Sequence, residues 1–358
     1  MKKILLTTIH PAPYIDMWIK TLSDKFEVDI LYKYSFTGEK EWKNYVPKEI
    51  NLYSDYSFFQ KIKLLKKYDL VILCSWGLKE NIFLSLALIP FKTKVSFFLD
   101  HPIIGQSKTS LIAKFIKMAI MKSADYIFPA SESCLNYLNL NYSVQKSKMN
   151  VFTYALAYRD KKKCIAINKV REERIKDGDS IRIFIANRFE ERKGYKILLE
   201  AFKELNRINL LNNFEIVVAG SGNEFLYYKH QFDQLKSNIK FLGWIENEVY
   251  NEEMEKCDVY IHASIFEPFG IPPLDALQCG KNIIVSDGVK SCDYLNNNNL
   301  NGVHLYPANN TLMLVEEMTC IVKNKLDLYK NASSIIENVN KQYSIDVNVN
   351  TINNIWSK

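Results

Sequence analysis

The sequence predicts an α/β protein made of two doubly wound domains. Short apolar strands alternate with amphipathic helical stretches along the chain, and this alternation breaks once, at a polar run near the middle, before it restarts. Apolar strands separated by helices imply a parallel sheet covered on both faces. Two such series imply two sheets, each with its ligand edge at the C-terminal ends of the strands. The length of 358 residues is enough for two cores of ordinary size.

The first series opens at KILLTTI (3–9). The start MKKILLTTIHPAPY has the look of a secretory leader, but its apolar run stops at His10-Pro11 without a small-residue cleavage site, so it reads as a first strand. Further strands follow as EVDILY (27–32), DLVILCS (69–75), KVSFFLD (94–100), YIFPAS (126–131) and NVFTY (150–154), with helical patterns at 13–24, 57–67, 108–123 and 132–140. In the last but one of these helices, Leu111, Ile112, Phe115, Ile116, Ala119 and Ile120 form one apolar stripe, expected to face the core. Its other face would carry Lys114, Lys117, Met118 and Met121, either as an ordinary solvated surface or in shallow contact with an anionic bilayer.

The run YRDKKKCIAINKVREERIKDGDS (158–180) loses the periodicity and reads as a linker with a helical piece. The second series then gives strands IRIFIAN (181–187), FEIVVAG (214–220), IKFLGW (239–244), VYIHAS (259–264) and NIIVSD (282–287), with helices at 194–207, 223–235, 246–256 and 272–279. Adjacent prolines cannot sit inside a helix but can open one, so the last helix starts near Pro272 and stops at Gly280. The expected domains are therefore 1–160 and 181–342, joined by a linker at 161–180.

Apolar content of 47% with 24% charged residues is that of a globular protein, and no run approaches the ~18 apolar residues that span a bilayer. The seven cysteines form an odd set without CxxC spacing, which suits a reducing cytoplasm. The charge is uneven. Residues 1–158 carry 21 Lys+Arg against 13 Asp+Glu, whereas the rest carry 26 against 27. The first half is thus expected to meet something anionic, a lipid surface or a phosphorylated acceptor. No nucleic-acid-binding motif accompanies the charge.

Candidate chemistry gathers in the second series. ANRFEERKG (186–194) places Arg188 and Lys193 in a strand-to-helix loop, where a guanidinium and an ammonium suit a diphosphate; the alternative is a basic loop paired with Glu190 and Glu191. VVAGSGNEF (217–225) puts Gly220 and Gly222 in a turn that would allow close backbone approach to a nucleotide, or simply a tight turn. FEPFGIPPLDALQCG (266–280) holds Glu267 in a loop just before a helix start, itself a natural anion site. Asp275 lies eight positions on; the alternative for it is a first-turn carboxylate that complements the helix dipole. His262, inside an apolar strand, reads as core, and His10 and Tyr14 carry weaker signals.

Together RFEERKG and EPFGIPPLD resemble the R-x4-K-G and E-x7-E elements of the family 4 retaining glycosyltransferases (glycosyl transferases group 1). The order of NRFEERKGYKILLEAF, IVVAGSG, IKFLGW, CDVYIHASIFEPFGIPPLDALQCGKNIIVSD and NGVHLYP is similar to that family over roughly 180–307. The first half is similar only in layout. The resemblance implies the GT-B fold, two Rossmann-like domains facing each other across a cleft, with 343–358 packing back on the first. It also implies a hexosyltransferase that uses a nucleotide-diphosphate sugar, UDP- or GDP-linked, as donor substrate, with no further cofactor and no metal.

Arg188 and Lys193 would then grip the diphosphate, and Glu267 would lie near the donor sugar. Backbone N–H groups of Phe269, Gly270 and Ile271 would bind phosphate or sugar hydroxyls. Asp275, one methylene shorter than the family's Glu, would bind the ribose, and loops near Trp244 and Phe269 would shape specificity. In the first half, HPAPYIDMW replaces the Gly-Gly loop of many members. FFLDHP ends a strand with His101, where relatives often carry an acceptor-side His; it would orient the acceptor hydroxyl, or else cap a turn. DGD (177–179) is similar to the DxD metal motif of the other main glycosyltransferase fold, but its place in a polar run before a strand makes it a turn. The acceptor would be a saccharide or lipid-linked saccharide, reached in the cytoplasm or at the inner face of the plasma membrane. A sugar-nucleotide epimerase of the same fold and a catalytically silent nucleotide-binding partner remain the alternatives.

Overall fold

The computed structural model describes residues 1–35, 51–74, 79–100, 111–156, 159–235, 237–292, 300–343 and 345–356. The chain forms two compact units, Met1–Leu156 with Tyr343–Lys358, and Ala157–Gln342.

In the first unit, strands β1 (Lys3–Thr8), β2 (Glu27–Tyr32), β3 (Leu70–Cys74), β4 (Lys94–Leu99) and β5 (Tyr126–Pro129) pair in parallel in the order β2-β1-β3-β4-β5. Helices α1 (Pro13–Ser23), α2 (Phe58–Leu65), α3 (Lys79–Leu88), α4 (Leu111–Ser123) and α5 (Glu132–Tyr142) connect them. Strand residues Leu5, Val71, Phe97 and Ile127 bury one face of the sheet under Leu84, Leu88, Ile120 and Leu138. The expected orientation of α4 is corrected. Phe115 and Ile116 point outward, while Ile120, Met121 and Ala124 are buried. The sequence stripe misleads because the C-terminal turn, with Met121 and Ala124, sets which side is anchored.

The second unit contains α6 (Lys161–Lys176), β6 (Ile181–Ala186), α7 (Tyr195–Arg207), β7 (Phe214–Ala219), α8 (Phe225–Asp233), β8 (Ile239–Gly243), α9 (Asn247–Lys256), β9 (Val259–His262), α10 (Ile271–Gln278), β10 (Asn282–Ser286), β11 (Val303–Tyr306), α12 (Thr311–Lys323) and α13 (Ala332–Gln342). Its parallel sheet runs β11-β10-β9-β6-β7-β8. The strand order reverses between β6 and β9, so the connections leaving these neighbours diverge and open a crevice at their C-terminal ends.

The stretch 161–180 is not a linker. Most of it is α6, an integral helix of the second unit that buries Cys164, Asn168, Arg171 and Ile175. Three of these four are not aliphatic, which is why no apolar period shows in the sequence. Arg171 holds Asp258 with two bonds, Nε–Oδ1 at 2.9 Å and Nη2–Oδ2 at 2.7 Å. Tyr329 and the Arg182 backbone N–H donate to the same carboxylate. Asn168 donates to the Cys279 carbonyl at 2.9 Å and accepts from the buried Lys281 ammonium at 2.6 Å.

After α13 the chain returns to the first unit as α14 (Ile345–Trp356). This return explains a third correction: NVFTY forms an extended run rather than a strand. Asn150 and Phe152 donate to β5 carbonyls. On the far side the Asn348 side chain stands in for a neighbouring strand, accepting from Thr153 N–H at 3.0 Å and donating to its carbonyl at 2.8 Å. Trp18 donates to that carbonyl too, at 3.0 Å, and its ring stacks on Tyr154.

Candidate active site

The loops after β6 and β9 are held together at the switch point by backbone. Gly194, the N-cap of α7 at φ +75°, lies so near β9 that a Cβ there would stand 2.0 Å from the Ala263 carbonyl oxygen. Ile265 N–H donates to Arg192 O at 2.8 Å. The Glu267 loop is pinned from its other side as well: Glu267 N–H donates to Gly288 O at 3.0 Å, and Lys290 N–H donates to Glu267 O at 3.2 Å. The carboxylate is therefore aimed by a rigid backbone frame.

Three groups converge on Glu267. Lys193 Nζ donates to Oε2, Arg192 Nη1 approaches the same oxygen at 3.3 Å, and His262 Nε2 stands 3.9 Å away. At that distance His262 acts through space rather than through a hydrogen bond. Its ring is steadied on the other edge, where Nδ1 lies 3.3 Å from Asn187 Nδ2 and 3.2 Å from Tyr260 OH. Burial raises the Glu267 acid, but the His262 ring facing it and the Lys193 charge outweigh that and hold it at about 2. Burial also draws Lys193 and His262 below their ordinary values, against the pull of Glu267. The two partners of the Lys193–Glu267 pair are thus pushed in opposite senses. The depressed Glu267 governs, because several positive or donor groups meet on one carboxylate.

Arg188 is placed differently. Its side chain is 52% exposed and binds Glu190, with Nε to Oε1 at 3.0 Å, while the other oxygen of Glu190 takes Arg192 Nε at 3.3 Å. An alternating chain of charges thus runs Arg188–Glu190–Arg192–Glu267–Lys193 along the crevice edge. Gly220 and Gly222 are used at close quarters against protein: a Cβ on them would fall 1.8 Å from Asn187 O and 2.6 Å from Phe189 O. They let the turn after β7 press on the loop that carries Arg188. Trp244 follows β8 and is exposed.

At the start of α10, Pro272 and Pro273 lack N–H groups, so the donors there come from Gly270 and Ile271. Gly270 sits at φ +95° and its carbonyl accepts from Ser291 Oγ at 2.7 Å. Asp275 is buried beneath this turn. Tyr250 OH donates to its Oδ2 at 2.8 Å; burial raises its pKa, and Arg159 and Tyr250 offset part of the rise. His101 lies outside the described residues. In the first unit His10 Nδ1 lies 2.9 Å from the Pro11 carbonyl oxygen, and Tyr14 is packed edge-on against Trp18 and Tyr154.

Sequence reasoning missed Arg192 and His262. Arg192 is masked by its place between the two motif cations. His262 reads as core and is indeed buried, yet the C-terminal end of β9 is where a buried side chain reaches the ligand edge. Among the described residues, no group of three or more His, Cys, Asp or Glu side chains is placed to hold a metal ion.

Residues 166–342, nearly all of the second unit, match the family model described as glycosyl transferases group 1. The second unit belongs to that family. An uncharacterized glycosyltransferase of Methanocaldococcus jannaschii is 30% identical over 146 residues, 40% of this chain and 36% of that protein. The N-acetylgalactosamine-N,N'-diacetylbacillosaminyl-diphospho-undecaprenol 4-alpha-N-acetylgalactosaminyltransferase of Campylobacter jejuni is 25% identical over 181 residues, 50% of this chain and 46% of that protein. The chain spans less than half the length of either. Over the full length of both chains the fold is similar to HepE of Anabaena, solved in complex with UDP, with a TM-score of 0.76 at 14% identity. The GT-B architecture of two Rossmann-like α/β domains is thus shown.

Proposed function

We propose that the protein is a retaining hexosyltransferase that binds a nucleotide-diphosphate sugar in the second unit and transfers the sugar to a saccharide or lipid-linked saccharide. The buried Lys193–Glu267 pair at the switch point carries this reading, supported by the family match over that unit. In the mechanism, Arg188 and Lys193 take up the charge of the departing diphosphate in place of a divalent metal. Glu267, kept ionised by its surroundings, faces the positive charge that develops at the anomeric carbon. N–H groups of Phe269, Gly270 and Ile271 orient the phosphate or sugar hydroxyls. Tyr250 occupies one oxygen of Asp275, which leaves Oδ1 to accept from the ribose. The acceptor hydroxyl attacks on the leaving-group face, and a donor phosphate oxygen helps to take its proton.

UDP is the favoured donor base, since the structurally similar HepE was solved with UDP and UDP-glucose. A lipid-linked acceptor in surface-glycan synthesis is supported by the Campylobacter relative, whose name specifies an undecaprenol-linked substrate. The basic first unit would work in the cytoplasm beside an anionic membrane, where His101 would meet the acceptor.

The test is a thermal-shift panel of UDP-, GDP-, ADP- and dTDP-sugars followed by release of nucleoside diphosphate. One donor should stabilise the wild type. Arg188→Ala, at an exposed position, should melt normally yet lose most of that shift. Stabilisation by no donor would sink the reading.

A further inference from the structure

We infer that the first unit binds anionic lipid bilayers through one continuous face formed by α2, α3 and α4. This rests on the membrane part of the reading above and is independent of the transferase part. α3 packs between α2 and α4, and all three helices turn large apolar side chains outward. Phe58 and Phe59 stand on α2, Phe83 and Ile89 on and just after α3, and Phe115 and Ile116 on α4; Phe59 is 81% and Phe115 67% exposed. Phe91, also exposed, lies under the Lys66 ammonium, 5.6 Å from its ring centre, which ties the end of α2 to the segment after α3. Exposed apolar side chains gathered on one face mark an interaction surface, whereas scattered ones do not.

Charge selects the partner. Segments 56–68, 79–93 and 111–123 together hold nine Lys and one acidic residue, Glu80. That one is engaged by Lys61. The remainder of residues 1–158 holds 12 Lys and 12 Asp+Glu, with no Arg. The whole positive excess of the first half therefore lies on the three helices that expose the aromatic residues and on the turns that flank them. Lys63, Lys66, Lys67, Lys92 and Lys122 are all exposed. A second copy is a poor occupant, because a two-fold interface would set these lysines against each other. A bilayer with anionic headgroups supplies both needs at once: apolar depth for Phe59, Phe115 and Ile116, and negative charge for lysines that reach outward along their stems. No helix among the described residues is long and apolar enough to cross a membrane, so the contact is interfacial.

The test is co-sedimentation of the full chain with phosphatidylcholine vesicles, with and without phosphatidylglycerol. Binding should require phosphatidylglycerol and weaken with salt. Each of Lys63→Gln, Lys67→Gln and Lys92→Gln should lower the partition coefficient about fivefold, the worth of one basic charge near an anionic leaflet. The triple variant Phe59→Ser/Phe115→Ser/Ile116→Ser should bind weakly while melting like the wild type and releasing nucleotide from donor at the wild-type rate. Undiminished vesicle binding by both sets of variants would overturn the assignment of this face. So would the absence of vesicle binding with a wild-type dimer that the serine variant disperses. Donor turnover without vesicle binding would defeat the membrane inference alone, and vesicle binding without turnover would defeat the transferase reading alone.

Discussion

Gly194 and Ala263 are in backbone contact, with no room for even a methyl group between them, and this contact sets the loop of Lys193 against the loop of Glu267. Replacement by alanine brings a Cβ to 2.0 Å from the Ala263 carbonyl oxygen at a φ of +75°, so the two loops must part. Gly194→Ala should cost on the order of 3 kcal/mol and abolish the thermal shift given by donor. Urea unfolding and the donor thermal shift check both.

The Lys193–Glu267 pair should behave as a unit. Lys193→Ala leaves a buried carboxylate with Arg192 as its remaining cation among the described residues. Glu267→Gln leaves a buried ammonium facing an amide. Each should destabilise by about 2–4 kcal/mol, and the double variant by less than the sum. Strict additivity in denaturant melts would show that the two side chains do not support each other.

Glu267 also sets a pH dependence. Its carboxyl falls from an ordinary value of 4.5 to about 2 on folding. The folded state therefore binds this proton less readily than the unfolded chain. The resulting stabilisation is present above pH 4.5 and is lost as the pH falls through about 2. It amounts to on the order of 3 kcal/mol. The stability difference between wild type and Glu267→Gln should shrink over that window in acid-unfolding measurements, and a constant difference would contradict it.

Much of this was legible beforehand, and the exceptions share a cause. The second sheet was readable because its buried strands are continuous apolar runs such as Ile283, Ile284 and Val285. The helix after Glu267 announced itself through Pro272, Pro273 and Gly280. Readings failed where burial is achieved by polar side chains or decided by distant partners. α6 looked like a linker because its buried face includes Asn168 and Arg171. The outward turn of Phe115 and Ile116 depends on how the end of α4 is anchored. The cation facing Glu267 beside Lys193 could not be chosen from spacing, since Arg188 and Arg192 are both near and only folding separates an exposed side chain from a converging one.

α6 supplies a stability prediction. Asp258 is fully buried, and its carboxylate takes Arg171, Tyr329 and the Arg182 N–H. Arg171→Leu removes the only side-chain cation bonded to it among the described residues. The cost should be about 3–5 kcal/mol, seen as a lower midpoint in chemical unfolding. A variant within 1 kcal/mol of the wild type would refute the buried pair.

Asn348 offers a separate probe in the first unit. With Asn348→Ala, Thr153 N–H loses its partner in a buried setting, at a cost of about 1–3 kcal/mol. Hydrogen exchange should then speed up at Thr153 without change in the second unit.

The return of α14 has a further consequence for how the chain folds. The first unit closes an edge at Thr153 with a side chain 195 residues later, and the whole second unit lies in between. The second unit is a continuous piece that can fold by itself, while the first must wait, its Thr153 edge open, for α14. Donor binding capacity should thus appear in refolding before the first unit is complete, because the Thr153 edge stays open until α14 docks.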